Sequence, residues 1–244
     1  MSRPRSILVI PAFGEAQCLP RVLADIAEAR LDFEVVVIDD GSADETGACA
    51  GAFGATLIRH PFNMGYGAAL QTGYKYALQR GARLLVQMDA DGQHDPREVS
   101  KLIEPILRGD ADLVVGSRFL GATAYLQGMS RRLGRYAFAA LAKVFGLAVT
   151  DPTSGFQAMN RKVLELYAAD FYPTDYPDVD VLLTAHRHGV RIRECPVTMS
   201  AGWRASSLHG GSLRAVYYAY KMLLSVWAAS AARADRVDMR GGIR

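Results

Sequence analysis

The sequence predicts an α/β fold: a mostly parallel β-sheet with helices on both faces. Three observations predict it. Short, continuous apolar runs recur through residues 1–118, as strands buried on both faces require. Between them lie helical stretches with apolar residues three and four apart, the spacing of one buried helix face. Each apolar run ends in a loop of Asp, Gly, Ser, Asn or Pro, so strand, loop and helix alternate.

With 244 residues, half of them hydrophobic, the chain can bury a full core. That length suits one large domain, alone or with a small appendage. The net charge is +3 and no Lys/Arg-rich block stands out, so nucleic acid is not an expected partner. The basic residues are overwhelmingly Arg, the bias of a GC-rich bacterial genome. Three cysteines, Cys18, Cys49 and Cys195, have no metal-like spacing. They read as reduced thiols of a cytosolic protein. The apolar run after Arg5 has five residues, too short for a signal-peptide core. No uncharged stretch reaches the roughly 18 residues that span a bilayer. The nearest candidate, Val216 to Ala232, contains Lys221. No internal repeat or low-complexity segment is present.

The first strand is Ser6 to Ile10, ending at Pro11-Ala12-Phe13-Gly14-Glu15. Its helix runs to about Arg30, with Leu19, Val22, Leu23 and Ile26 on one face. The second strand, Phe33 to Ile38, ends at Asp39-Asp40-Gly41-Ser42, and a short helix follows from about Asp44. The third, Ala55 to Ile58, leads through Asn63-Met64-Gly65-Tyr66-Gly67 into a helix from about Gly65 to Arg80. The fourth strand, Arg83 to Val86, is followed by a helix with Asp95 as N-cap, Pro96 first and Glu98 three after the cap, the pattern of a capping box. The fifth, Ala111 to Gly116, ends at Ser117-Arg118.

In parallel sheets ligands bind beyond the carboxyl ends of the strands. Glu15, Asp39, Asp40, Asn63, Asp89, Asp91 and Arg118 all fall at or just past such ends, so they converge on one rim. Asp89 and Asp91 are two apart after the fourth strand. If extended geometry continues, both carboxylates face one side and Ala90 the other. Carboxylates that close repel unless a cation lies between them. Oxygen ligands suit Mg²⁺ or Mn²⁺, which also holds substrate phosphates. The same residues suit an ordinary Asp-Gly turn. Asp40-Gly41 divides likewise between a turn and a nucleotide contact. The glycines around Tyr66 serve tight backbone, or leave N–H groups free at a helix start for an anion.

Past residue 118 the character changes. Gly128 to Phe145 reads as a helix with Arg131, Arg132 and Arg135 on one side and no acid of its own to pair them. A solvated basic face is one interpretation; a phosphate or anionic lipid head group is the other. Asp151 to Phe156 is a turn-rich loop. Asp178 and Asp180 lie in the first turn of the next helix, placed there for the helix dipole or for catalysis. His186 and His188 face different ways on it and are poor metal partners. A strand spans Arg191 to Met199, and a polar loop expected to move carries Arg204. The last helix, from about Ser212, is apolar on most of its surface, which suits a membrane interface or a partner as well as the core.

Together, Val9 to Glu15, Asp39-Asp40-Gly41-Ser42, Asn63 to Ala69, Asp89 to Pro96 and Val115 to Arg118 resemble the motifs of family 2 inverting glycosyltransferases of GT-A fold. More closely the chain is similar to the dolichyl-phosphate mannose synthase and polyprenyl-phosphate glycosyltransferase branch. Asp151 to Phe156 and Tyr176 to Asp180 extend the match over nearly the whole chain. The resemblance implies that Pro11, Ala12, Glu15 and Asp40 hold the nucleoside. The donor-binding set is completed by Asp39, Asn63, Gly67 and Ala90 in the same motifs. Asp89 and Asp91, with Gln93, bind Mg²⁺ or Mn²⁺ on the nucleotide diphosphate. Arg118 and Arg131 meet the acceptor phosphate, and Arg204 closes over the donor. Two positions depart from the family pattern: Gly14, where Asn is frequent, and Tyr66, where Lys or Arg is frequent. Many relatives carry transmembrane helices after the catalytic domain; residues 211–244 are not expected to form one.

The expected organisation is a catalytic domain over 1–210, with a nucleotide-binding half (1–118) and an acceptor-binding half (119–210). An amphipathic helix and tail follow over 211–244. The expected reaction moves a sugar, with inversion, from a UDP-, GDP- or dTDP-sugar to a polyprenyl phosphate or other lipid-linked acceptor. The expected location is cytoplasmic, peripheral on the cytoplasmic face of the membrane, through 212–232 or a membrane-protein partner. A phosphate acceptor is already anionic and needs positioning cations; a sugar hydroxyl needs a base, for which Asp178 or Asp180 is the candidate. Sugar nucleotidyl transfer and non-catalytic binding of a nucleotide sugar are the alternatives of another class.

Overall fold

The computed structural model describes residues 5–120, 143, 146–175 and 177–200. The arginine helix with Arg131, Arg132 and Arg135, the Arg204 loop and the 212–232 helix lie outside the described residues.

Seven strands form one sheet in the order β3-β2-β1-β4-β6-β5-β7. The strands are β1 (Ser6–Ala12), β2 (Glu34–Asp39), β3 (Thr56–Arg59), β4 (Leu84–Gln87), β5 (Leu113–Ser117), β6 (Gln157–Asn160) and β7 (Ile192–Pro196). All pairs are parallel except those of β6, which runs antiparallel to both β4 and β5. The described helices are α1 (Leu19–Glu28), α2 (Thr46–Ala52), α3 (Tyr66–Gln79), α4 (Val99–Leu107), α5 (Arg161–Tyr167) and α6 (Val179–Arg187).

Side-chain alternation along the strands fills both faces. Ile7, Val9, Val36, Ile38, Leu85 and Leu113 pack with α3, α5 and α6. Leu8, Ile10, Val37, Val86 and Val114 pack with α1 and α4 on the other side. The four apolar residues expected on one face of α1 are all buried. Continuous apolar strands therefore follow from burial on two sides, as the sequence implies.

Three local expectations are corrected. Asp95 caps a short 3₁₀ turn, Pro96–Glu98, by accepting the Arg97 N–H. Glu98 turns away to Lys101 at 2.6 Å, so no reciprocal capping box forms and α4 starts one turn later. Asp178 is the N-cap residue of α6, and only Asp180 lies in its first turn. Finally, β6 and α5 follow the turn-rich loop Asp151 to Phe156, in a stretch to which the sequence reading assigns no element. Gln157-Ala158-Met159-Asn160 has no apolar run, and its buried Gln157 amide donates to the Ser154 carbonyl at 2.9 Å.

Order along the sheet reverses at β1, which has β2 on one side and β4 on the other. Crevices open at such switch points, beyond the carboxyl ends of the strands. The loops after β1 and β4 flank this one.

The far side of the sheet is fastened by Asp112. Its carboxylate accepts from the Arg191 guanidinium at 2.9 and 3.1 Å, from the Arg191 N–H at 3.0 Å and from the Asn160 amide at 2.8 Å. The Arg191 guanidinium holds the Asp112 carboxyl well below the usual carboxylate range. A depressed folded pKa contributes stability that is complete above the unfolded value of about 4 and fades as pH falls towards the folded one. Asp112→Asn is expected to lose about 1–2 kcal/mol at pH 7 in urea unfolding. The gap to wild type should narrow steadily below about pH 4.

Candidate active site

The carboxylate pair follows β4 directly, but the strand ends at Gln87 and the chain turns at Ala90-Asp91. A turn, not extended alternation, brings Asp89 and Asp91 together. Ala90 is buried beneath them. Burial raises the pKa of both carboxyls, and the Asp89 charge raises that of Asp91 further. The two are thus electrostatic neighbours at the β1/β4 crevice.

Each is held by a specific donor. The Tyr66 hydroxyl, at the start of α3, donates to Asp89 Oδ1 at 2.7 Å. Burial, then the Asp89 charge, pushes the Tyr66 phenol well above its ordinary pKa, so it stays a donor. The Gln93 N–H donates to Asp91 Oδ1 at 2.9 Å, an Asx turn. The Asp89 N–H donates to His94 Nδ1 at 3.0 Å, which requires that nitrogen to be unprotonated. Burial lowers the His94 pKa to about 4, so the imidazole is neutral at pH 7. It stacks on Phe156 with ring centroids 4.8 Å apart.

Asp89 and Asp91 fit a divalent ion. Two partly buried carboxylates with raised pKa values are stabilised by a cation between them. No group of three or more His, Cys, Asp or Glu residues suited to a metal occurs among the described residues. The donor set therefore suits an ion that keeps water or substrate oxygens, as Mg²⁺ and Mn²⁺ do. Gln93 follows in the same turn; its carbonyl accepts the Ser200 N–H at 3.0 Å.

Several expected donor-binding residues are braces for the rim loops. Asp39 is fully buried; it accepts the Ser42 N–H at 2.9 Å and faces Arg59 Nε at 3.3 Å. Asp40 accepts the N–H groups of Met64 and Gly65 at 2.8 and 2.9 Å and pairs with His60 at 2.7 Å. Pro11 and Ala12 end β1, alongside Ile38 and Asp39 of β2. The Gly14 and Glu15 N–H groups donate to Ser42 and Thr46 hydroxyls at 3.0 and 2.9 Å. Asn63 is exposed at the head of its loop.

At the start of α3, Gly67 answers to tight backbone, the first of the two readings, and not to an anion site. The Gly67 N–H donates to the Asp175 carbonyl at 3.2 Å, and the Ala68 N–H to the Thr174 carbonyl at 3.0 Å. Neither is open to a phosphate. Gly67 is required for this contact, since a Cβ there would lie 2.0 Å from the Pro173 carbonyl oxygen.

Arg118 lies at the end of β5 and is locked to Asp151 through two parallel bonds of 2.7 Å. Asp151 is fully buried. Its N–H and that of Thr150 donate to Glu194 of β7 at 2.9 and 2.8 Å. The Arg118 charge also lowers the Asp89 pKa against the larger effect of burial. Asp180 is buried and accepts the Asp178 and Val181 N–H groups at 3.0 and 2.9 Å. It fastens the start of α6. Asp178 is near enough to Tyr66 to raise its pKa.

The order of the motifs can now be set against known proteins. Residues 7–167 match the family described as Glycosyl transferase family 2. The chain belongs to glycosyl transferase family 2. Among the relatives of this glycosyltransferase is polyprenol monophosphomannose synthase of Mycolicibacterium smegmatis, 32% identical over 207 residues, or 80% of this chain and 77% of that one. Undecaprenyl-phosphate mannosyltransferase of Micrococcus luteus is 32% identical over 203 residues, 80% of this chain and 83% of that one. Glucosyl-3-phosphoglycerate synthase from Mycobacterium tuberculosis, solved with Mn²⁺, UDP and phosphoglyceric acid, has a TM-score of 0.70 at 22% identity. It covers 96% of this chain and 81% of that one. The glycosyltransferase thus has the GT-A fold expected from its motifs.

The residues that sequence reasoning missed are Asp151 and Glu194 as supports of Arg118, and His94 as a support of Asp89. Asp151→Asn is expected to destabilise the glycosyltransferase by about 3 kcal/mol, because Arg118 then loses its buried partner. The urea midpoint at pH 7 measures this.

Proposed function

We propose that this glycosyltransferase moves a sugar, with inversion, from a nucleoside diphosphate sugar to a polyprenyl phosphate at a membrane surface, and that it depends on Mg²⁺ or Mn²⁺. The observation that carries the proposal is the Asp89–Asp91 pair at the β1/β4 crevice, each carboxyl raised in pKa by burial. An ion bound there would supply Lewis-acid stabilisation of the departing nucleoside diphosphate. Asp89 and Asp91 would hold it, with Gln93 contributing from the same turn.

The remaining roles belong to the protein's own groups. Pro11, Ala12, Glu15, Asn63 and Ala90 line the donor side, on loops that Asp39 and Asp40 brace. Arg118, oriented by Asp151, offers positive charge on the acceptor side. A lipid phosphate is an anion at neutral pH, so the acceptor needs orientation and no proton transfer. The committed hydrogen bonds of Asp180 agree with this, since it is occupied at its own helix start. Both mannosyl-transferring relatives are named for polyprenyl-phosphate chemistry, which supports the acceptor class. Arg131 and Arg204 would complete the acceptor and donor sides. Residues 1–210 would form the catalytic domain, and 212–232 would lie on the cytoplasmic face of the membrane. No described helix is long and apolar enough to cross one.

A second acceptor, a sugar hydroxyl, is favoured by one observation. Asp178 acts electrostatically on Tyr66, so it stands near the reacting region as a base for a hydroxyl would.

Incubation with nucleoside diphosphate sugars, Mn²⁺ and a polyprenyl phosphate tests the proposal. Free nucleoside diphosphate and a glycolipid are expected, and EDTA should stop both. Asp91→Ala should lower turnover by roughly 10²–10³, the usual cost of losing a charge-stabilising group at a reacting centre. Release of pyrophosphate, or full turnover in EDTA, would contradict the proposal.

A further inference from the structure

Tyr66 is the first residue of α3, and its ring packs against the core formed by β1, β4 and α3. Its hydroxyl donates to Asp89 Oδ1 at 2.7 Å. The backbone on both sides of Tyr66 is fastened. The Gly65 N–H is bonded to Asp40 at 2.9 Å, and the Gly67 N–H to the Asp175 carbonyl at 3.2 Å. The phenol is thus delivered to Asp89 from a fixed point.

A third element closes on the same two groups. Gly155 lies in the loop before β6. A Cβ there would come within 2.8 Å of Asp89 Oδ2, and within 3.0 Å of Asp89 Oδ1 and of the Tyr66 hydroxyl oxygen. Gly155 has no left-handed φ, so conformational freedom does not demand a glycine. Space does: the missing side chain is the room in which the Tyr66–Asp89 pair sits.

We propose, on the basis of the metal role given above to Asp89, that Tyr66 is a positioning residue for the metal site. Its hydroxyl fixes the Asp89 carboxylate in the space left by Gly155, so that Asp89 meets the ion already oriented. A phenol suits this task better than a flexible cation would. It donates one hydrogen bond to Oδ1 without neutralising the carboxylate, and its rigid ring leaves little rotational freedom. Outer partners that orient a metal-binding carboxylate typically contribute 10–100-fold in metal affinity.

The neighbouring Tyr74 provides the contrast. Its hydroxyl is bonded to Gln87 and lies 3.2 Å from the Tyr172 hydroxyl; Asp89 reaches it through its charge and not through a hydrogen bond. Loss of that hydroxyl perturbs the core but removes no hydrogen bond from the carboxylate pair.

Mn²⁺ binding, followed by the EPR signal of free Mn²⁺ with excess UDP and in parallel with excess GDP, separates the outcomes. Tyr66→Phe is expected to weaken Mn²⁺ binding about tenfold, and Tyr74→Phe to leave it at the wild-type value. Gly155→Ala, which keeps every hydroxyl but crowds Asp89, is expected to weaken Mn²⁺ binding at least as much as Tyr66→Phe. It serves in its place should that variant fail to fold. Equal Mn²⁺ affinity in wild type, Tyr66→Phe and Gly155→Ala would overturn the positioning role and leave the metal role standing. An equal loss in Tyr74→Phe would also overturn it, as a core defect. A wild-type chain that binds no Mn²⁺ with either nucleotide would remove the metal role of Asp89, and the positioning role with it.

Discussion

Two carboxylates in a half-dry crevice repel, and much of this fold is built to keep Asp89 and Asp91 there all the same. Burial raises both pKa values, and each charge opposes the other. The chain answers with directed hydrogen bonds: the Tyr66 phenol on Asp89 and the Gln93 N–H on Asp91. A neutral His94 below accepts the Asp89 N–H instead of adding a charge. The nearby Arg118 is already engaged by Asp151 in a bidentate pair. Asp89 therefore shares the charge of one guanidinium with Asp151, and Asp91 stands against Asp89. Such a shortfall of positive charge is what a divalent ion relieves.

The rim holds more acids than the reaction needs, and their hydrogen bonds sort them. Asp39 and Asp40 tie the loops after β2 and β3 together. Glu194 gathers the backbone that carries Asp151, and Asp180 fastens the start of α6. These groups position others through those hydrogen bonds. Asp89 and Asp91 differ because they face the crevice at the point where strand order reverses. In the proposed function, sheet topology selects which carboxylates meet the donor, and the braces keep the loops in place around them.

The strands were legible in the sequence because burial on two faces demands continuous apolar runs, and α1 because its apolar residues recur at helical spacing. Motif order carried the family. The central β6 was hidden because its ends are polar: Gln157 is satisfied by the Ser154 carbonyl in the preceding loop and Asn160 by the distant Asp112. Its antiparallel direction is a fact about neighbours, not about its own residues. In the site, the rim was legible from strand ends, while the division of labour was not. Asp151 lies 33 residues beyond the Arg118 it pairs with. The Gly67 N–H looks open in sequence and is closed by a carbonyl of Asp175. Only folding reveals which donors remain for a ligand.

Anomalous diffraction at the manganese edge, from crystals grown with Mn²⁺ and a nucleoside diphosphate, addresses the central claim most directly. One peak is expected beside the Asp89 and Asp91 carboxylates, at about 2.0–2.2 Å from at least one of their oxygens, the range of hard divalent ions of this size. Diphosphate oxygens should complete its shell. A bound nucleotide with no manganese between it and this pair, or manganese held elsewhere on the chain, would contradict the account.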